Sequence, residues 1–114
     1  MRARGGKLVV VDPRETRTAR EADEWLSIRP GTDALLLAAI ANTMIVEGLA
    51  DPGDHLDGIV NGIAELSSAL APFTASVVAE ATGINASTIE RLARELAAAP
   101  TAAVYGRIGT TTTE

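Results

Sequence analysis

The chain contains no cysteine, and only one histidine, one phenylalanine, one tryptophan and one tyrosine among 114 residues. The first absence excludes disulfides, thiolate metal sites and a cysteine nucleophile within this chain. The scarcity of rings means that the core must be aliphatic. No stretch reaches the ~18 uninterrupted apolar residues of a membrane-spanning helix. The N-terminal MRARGGK leads into four apolar residues, too few for a signal-peptide core, so the chain reads as cytoplasmic with no membrane segment. His55 has only Asp54 and Asp57 beside it and reads as an exposed turn residue. Asp51, Asp54 and Asp57 have a calcium-like spacing but no twelve-residue loop closed by a glutamate, and read as caps. Ser67-Ser68 lacks a nearby histidine, which argues against nucleophilic catalysis there.

Hydrophobic residues make up 46% and charged ones 22%, ordinary for a globular chain. The length suits one domain, residues 1–114. A net charge of −5 argues against a general nucleic-acid binder. The charge is unevenly placed. Seven of the ten basic residues (Arg2, Arg4, Lys7, Arg14, Arg17, Arg20 and Arg29) lie in the first thirty, with five acids, leaving +2 there and −7 over residues 31–114. Such a region suits a small anionic ligand better than a long polyanion.

Leu8 to Val11 is a short β-branched run that predicts a buried, parallel strand. Pro13 ends it, because proline brings no N–H to a ladder. Thr16 or Thr18 caps a short helix through Ala22, and Glu24 to Ile28 alternates as a second strand. After the Arg29-Pro30-Gly31 turn, Thr32 or Asp33 opens the helix ALLLAAIANTMIVEGL, apolar nearly all round and so expected to be buried on several sides. Gly48 stands at its C-terminal cap. The second half is helical: one helix opens at Asp57 or Asn61, Pro72 breaks it, Thr74 opens another that ends at Gly83, and Asn85 caps a third that Pro100 ends. Ile89, Leu92, Ala93 and Leu96 share a face of the third. Ala102 to Tyr105 is expected to be a third strand. The sum is an α/β fold: a small parallel sheet, flanking helices and a helix-rich second half.

In open parallel sheets ligands lie beyond the carboxyl ends of the strands. Three polar loops follow the expected strands: Asp12 to Thr16, Arg29 to Asp33, and Gly106 to Thr113. The middle one runs into a helix N-terminus, where free N–H groups and the macrodipole favour an anion. The sequence thus suggests a composite site for a polar, phosphorylated ligand.

At these loops GGKLVVVDPRETRTAREADEWLSIRPGTDALLLA resembles the cofactor-binding part of the molybdopterin oxidoreductases, the family of formate dehydrogenases, nitrate reductases and dimethyl sulfoxide reductase. The resemblance rests on Asp12-Pro13-Arg14, Thr16, Thr18-Ala19, Ala22-Asp23 and Pro30-Gly31-Thr32-Asp33-Ala34. Further on, ATGINASTIERLARELAAA and VYGRIGT are similar to a later helix and glycine loop of the same family. It implies a molybdopterin guanine dinucleotide (Mo-bis-MGD) in the parent enzyme, with the guanosine-diphosphate arm of one pterin held by Asp12, Pro13, Arg14, Glu15 and Thr16, by Gly31, Thr32 and Asp33, and by Gly106, Arg107 and Gly109. Asp33 would accept guanine N1–H and N2–H₂ as a bidentate pair. Asp12 would accept from the ribose, and Arg14 and Thr16 would meet phosphate oxygens.

The family's metal ligand and iron–sulfur cysteines lie upstream of such a segment and have no counterpart here. The expectation is therefore a fragment without redox activity that retains no cofactor, whose partners are the remainder of the parent enzyme or, through the exposed apolar face of the Leu35–Ile45 helix, a second copy. Formate is the substrate the DPR and PGTD pairing suggests. A helix-turn-helix over residues 77–99 is the alternative, with Arg91 and Arg94 reaching DNA. The acidity of this half and the Ser87-Thr88-Glu90 start of its second helix argue against it. Trp25 reads as core rather than as a stacking platform.

Overall fold

The structure is a computed structural model and describes residues 5–50, 59, 61–106 and 110. Two three-residue strands, β1 (Val9–Val11) and β2 (Glu24–Leu26), pair in parallel, with Val9 opposite Glu24, Val10 opposite Trp25 and Val11 opposite Leu26. Parallel neighbours need a crossover of about a dozen residues. Here Asp12 to Asp23 supplies it and carries the short helix α1 (Arg17–Glu21). The pair is pinned at both ends. The Leu8 carbonyl accepts the Asp23 and Glu24 N–H groups (2.9 and 3.2 Å), and the Asp12 N–H donates to the Leu26 carbonyl (3.1 Å).

Four helices follow: α2 (Asp33–Val46), α3 (Ile63–Leu70), α4 (Ala75–Thr82) and α5 (Ala86–Ala98). Several helix ends, that of α1 included, fall at the capping residues read from the sequence. Thr16 accepts the Ala19 N–H, Thr74 accepts the Val77 N–H, and α4 stops at Gly83 in the left-handed conformation (φ 77°). Asn85 occupies the cap of α5 without a side-chain bond. The second-half opening falls at Ile63, after Gly62 rather than at Asn61. Asp57, and with it Asp51, Asp54 and His55, lies outside the described residues.

The core is aliphatic. Ile28, Leu36, Ala39, Ala75, Val78, Ile84 and Ile89 form one buried cluster, with Phe73 packed at its side. It joins the segment after β2 to α2, α4 and α5. Because α2 is apolar nearly all round, it can pack on α3, α4 and α5 together. Leu37, and Val46 at its last position, remain exposed.

The expectations for two strands are corrected. The Leu8–Val11 run is half-buried rather than buried: Val9 and Val10 are partly covered and Val11 is exposed. A parallel sheet is buried only where helices cover both faces, and α1 is the helix packed against both strands. The third strand is not formed. Residues 102–106 are neither strand nor helix, and Val104 and Tyr105 are exposed. An isolated extended segment leaves its ladder groups without partners, and among the described residues no strand lies beside this one.

Candidate functional site

The parallel pairing decides where the first two loops emerge. Since Val11 and Leu26 are register partners at the carboxyl ends of their strands, Asp12–Thr16 and the segment leading to Gly31–Asp33 leave the same edge. The first loop is shaped by its own polar groups. The Asp12 carboxylate accepts the Arg14 N–H (2.8 Å), an aspartate turn. The Thr16 N–H donates to the Arg14 carbonyl (2.9 Å), and the Thr16 hydroxyl accepts from Ala19 (3.2 Å). Pro13, Arg14 and Glu15 are exposed, Asp12 and Thr16 half-buried. The Arg14 guanidinium has no hydrogen bond or ion pair among the described residues.

Trp25 was expected in the core. It is half-buried, and its indole N–H donates to the Asp12 carbonyl (3.0 Å). One side chain of β2 therefore fastens the first residue of the loop that follows β1.

The second loop turns at Gly31, whose φ of 81° falls where a side chain would strain the backbone. Thr32 occupies the N-cap of α2, but its hydroxyl donates to the Arg29 carbonyl (2.6 Å) and makes no cap bond. Among the described residues the N–H groups of Asp33 and Ala34 find no acceptor, while those of Leu35 and Leu36 reach the Thr32 carbonyl. Two free donors thus accompany the half-buried Asp33 side chain at the positive end of a fourteen-residue helix.

Arg29 read as a turn cation. Its Nη1 instead donates to the Glu80 carbonyl (2.6 Å), and its N–H to the Thr82 carbonyl (2.9 Å), both in the last turn of α4. The acceptor lies fifty-one positions away, and nothing in the local sequence marks that distance.

The third loop does not join the other two through a strand, because residues 102–106 form none. Arg107 and Gly109 lie outside the described residues. At Gly106 a Cβ would stand 3.0 Å from the Thr110 hydroxyl, so the missing side chain admits a neighbour from its own segment. An open groove between α2, α4 and α5, lined by Asn42, Thr43, Glu47, Glu90 and Arg94 among others, contains none of the loop residues. Asn42 is nine residues along α2 from Asp33, about 14 Å of helix axis. Among the described residues no three His, Asp or Glu side chains gather to hold a metal ion, and no helix is long and apolar enough to cross a membrane.

The helix-turn-helix reading meets a real corner, with α4 and α5 joined at Gly83. Its cations are engaged elsewhere. Arg91 donates to Glu24 on β2 and to Glu95, and Arg94 pairs with Glu47 at the end of α2 and with Glu90. These guanidiniums fasten α5 to its own chain instead of standing free for phosphate.

Lys7 completes the first cluster, 3.2 Å from both Glu24 Oε1 and Glu95 Oε2. Glu24 Oε1 is buried, and the Lys7 ammonium supplies the opposite charge beside it. The Arg91 hydrogen bond, aided by Lys7, holds the Glu24 carboxyl below the usual glutamate range despite its burial, and Arg91 and then Lys7 do the same for Glu95. A carboxyl whose folded pKa is depressed stabilises the fold above its unfolded pKa, and that contribution disappears as pH falls through the folded value. Glu24→Gln should therefore lower stability at pH 7 by about 1 kcal/mol, with screening by salt. The difference from wild type should shrink as the pH is taken below about 4, checked by urea unfolding at both pH values. A penalty of equal size at low pH would remove the ion pair as its source.

A family model described as molybdopterin oxidoreductase matches residues 1–107. The alpha subunit of F420-dependent formate dehydrogenase 2 from Methanococcus maripaludis is 36% identical over 107 residues, 94% of this chain and 16% of that protein. Formate dehydrogenase H of Escherichia coli is 34% identical over 94% of this chain and 15% of its own length. A solved structure of acetylene hydratase from Pelobacter acetylenicus superposes with a TM-score of 0.85 at 35% identity, over 97% of this chain and 15% of that one. The chain thus spans about one sixth or less of the proteins it resembles.

Proposed function

Because the chain belongs to the molybdopterin oxidoreductase family, in which it is formate-dehydrogenase-like, we propose that its first two loops hold the guanosine-diphosphate arm of a molybdopterin guanine dinucleotide. The single observation that carries this reading is the parallel pairing of β1 and β2, which brings DPRET and GTD to one sheet edge. The donor set fits the ligand. Asp12 keeps a carboxylate oxygen for ribose hydroxyls beyond the one that accepts Arg14. Arg14 offers to phosphate a guanidinium with no partner among the described residues, and the Thr16 hydroxyl can still donate while it accepts from Ala19. Gly31 leaves its side open, with nothing within 4 Å of where a Cβ would stand. Asp33 matches the paired donors of guanine. When bound, the molybdenum of this cofactor supplies the redox chemistry, and the residues of this chain bind and orient the nucleotide end.

On this reading residues 1–114 are one lobe of a larger cofactor-binding domain, the parent acts on formate, and the lobe alone is inactive and holds no complete cofactor. The remainder of the parent covers the exposed Ile63 and Leu66 of α3, a helix with no buried residue. A stable dimer of the 114-residue chain in sedimentation experiments would assign that face to a second copy instead. Binding itself is tested by calorimetric titration of the chain with GMP, GDP and AMP. The expected result is weak binding with a preference for guanine, and equal affinity for GMP and AMP would overturn the assignment.

A further inference from the structure

We infer that Arg29 is a positioning residue: it ties the Gly31–Asp33 loop to the C-terminal end of α4, so that the α4–α5 pair sets how Asp33 is presented to the ligand. The inference rests on the nucleotide-binding role given to Asp33 above. Three hydrogen bonds of Arg29 carry it. A helix leaves its last four carbonyls without intrahelical partners. In α4, Gly83 satisfies Ala79 from within the chain's own turn, and Arg29 satisfies two more, Glu80 through its guanidinium and Thr82 through its backbone N–H. The cation also stands at the negative end of the helix, where charge and dipole agree.

The other end of the tie is the Arg29 carbonyl, which accepts the Thr32 hydroxyl at 2.6 Å. Thr32 in turn accepts the Leu35 and Leu36 N–H groups that begin α2. A continuous chain of bonds therefore runs from the α4 terminus through Arg29 and Thr32 to the first turn of α2, one residue from Asp33. Ile28, only 2% exposed, anchors the same segment in the core from the preceding position. The stem of Arg29 lies over Gly83, 3.6 Å from where a Cβ would stand, so the turn of the α4–α5 corner packs against it.

The competing role for this cation is direct contact with phosphate. Guanosine and GDP separate the two. If Arg29 positions the loop, Arg29→Met weakens guanosine and GDP about equally, by about tenfold, because the loss falls on the base contact of Asp33. If Arg29 binds phosphate, GDP weakens and guanosine does not, and the inference is overturned. A readout without ligand tests the tie itself. In Arg29→Met, amide exchange at Leu35, Leu36 and Gly83 should accelerate by about tenfold or more, and Arg29→Lys, which still offers a donor to Glu80, should restore part of the protection. Unchanged exchange in the methionine variant overturns the inference. Should Arg29→Met not fold, Thr32→Val breaks the other end of the tie and is read in the same way. If the unaltered chain shows no guanine preference, the nucleotide reading fails on that result, and the exchange experiment still decides whether Arg29 holds the loop.

Discussion

Ile89→Ala is expected to lower the stability of the chain by about 3 kcal/mol, the largest single effect anticipated here. Ile89 has no exposed surface and stands where α5 meets α2 and α4. Removing its outer carbons forfeits their transfer energy and leaves a cavity, which together cost about 2–5 kcal/mol for isoleucine to alanine in a core. A domain of this size has only about 5–15 kcal/mol in total. Few aromatic side chains are present to fill the gap, since the nearest ring to the cluster, Phe73, is at its edge. Urea unfolding followed by far-ultraviolet circular dichroism measures the loss, and Ile89→Val should cost about 1 kcal/mol. Ile28 shares the cluster, so the Gly31–Asp33 loop should loosen in the same variant. A loss below about 1 kcal/mol for the alanine variant would mean that the α2–α4–α5 contact is not the main core.

Asp33→Ala should abolish discrimination between guanine and adenine nucleotides, a change of about 10- to 100-fold in relative affinity. The estimate follows from hydrogen bonds to a charged group, worth about 1.5–3 kcal/mol. Guanine presents two adjacent donors, while adenine presents a donor beside an acceptor, so a carboxylate matches only the first. The arrangement leads to a sharper test. Asp33→Asn keeps nearly the same shape but replaces one acceptor oxygen with an NH₂ donor, so it should lose guanine preference almost as completely as alanine does. Full retention of preference in the asparagine variant would remove the carboxylate from base recognition. Titration of GDP and ADP against both variants reads the result, with circular dichroism to confirm that α2 still forms.

Much of the fold was legible because its punctuation is local. Thr16, Thr74 and Gly83 cap helices through bonds spanning three or four residues, and Pro72 separates α3 from α4 for reasons internal to its own ring. The failed third strand has the opposite character. Ala102–Tyr105 carries strand-forming residues, but a strand exists only when a neighbour accepts and donates along it, and that neighbour is a fact about the rest of the molecule. The half-burial of Val9 and Val10 has the same origin, since the run fixes its own preference for extension but not what covers it.

The candidate site divides along the same line. Residue order alone is enough to say that two polar loops follow two strands, that the second runs into a helix N-terminus, and which residue types each offers. Alternation, proline and capping are short-range physics, and the chain carries them wherever it goes. Packing between segments chose the partners: Trp25 holds Asp12, Arg29 is bound to the end of α4, and Arg91 and Arg94 pair with carboxylates of their own chain. A guanidinium read from sequence is only a donor, and which acceptor it meets depends on packing between segments about fifty positions or more apart, at Arg29 with Glu80 and Arg91 with Glu24 alike.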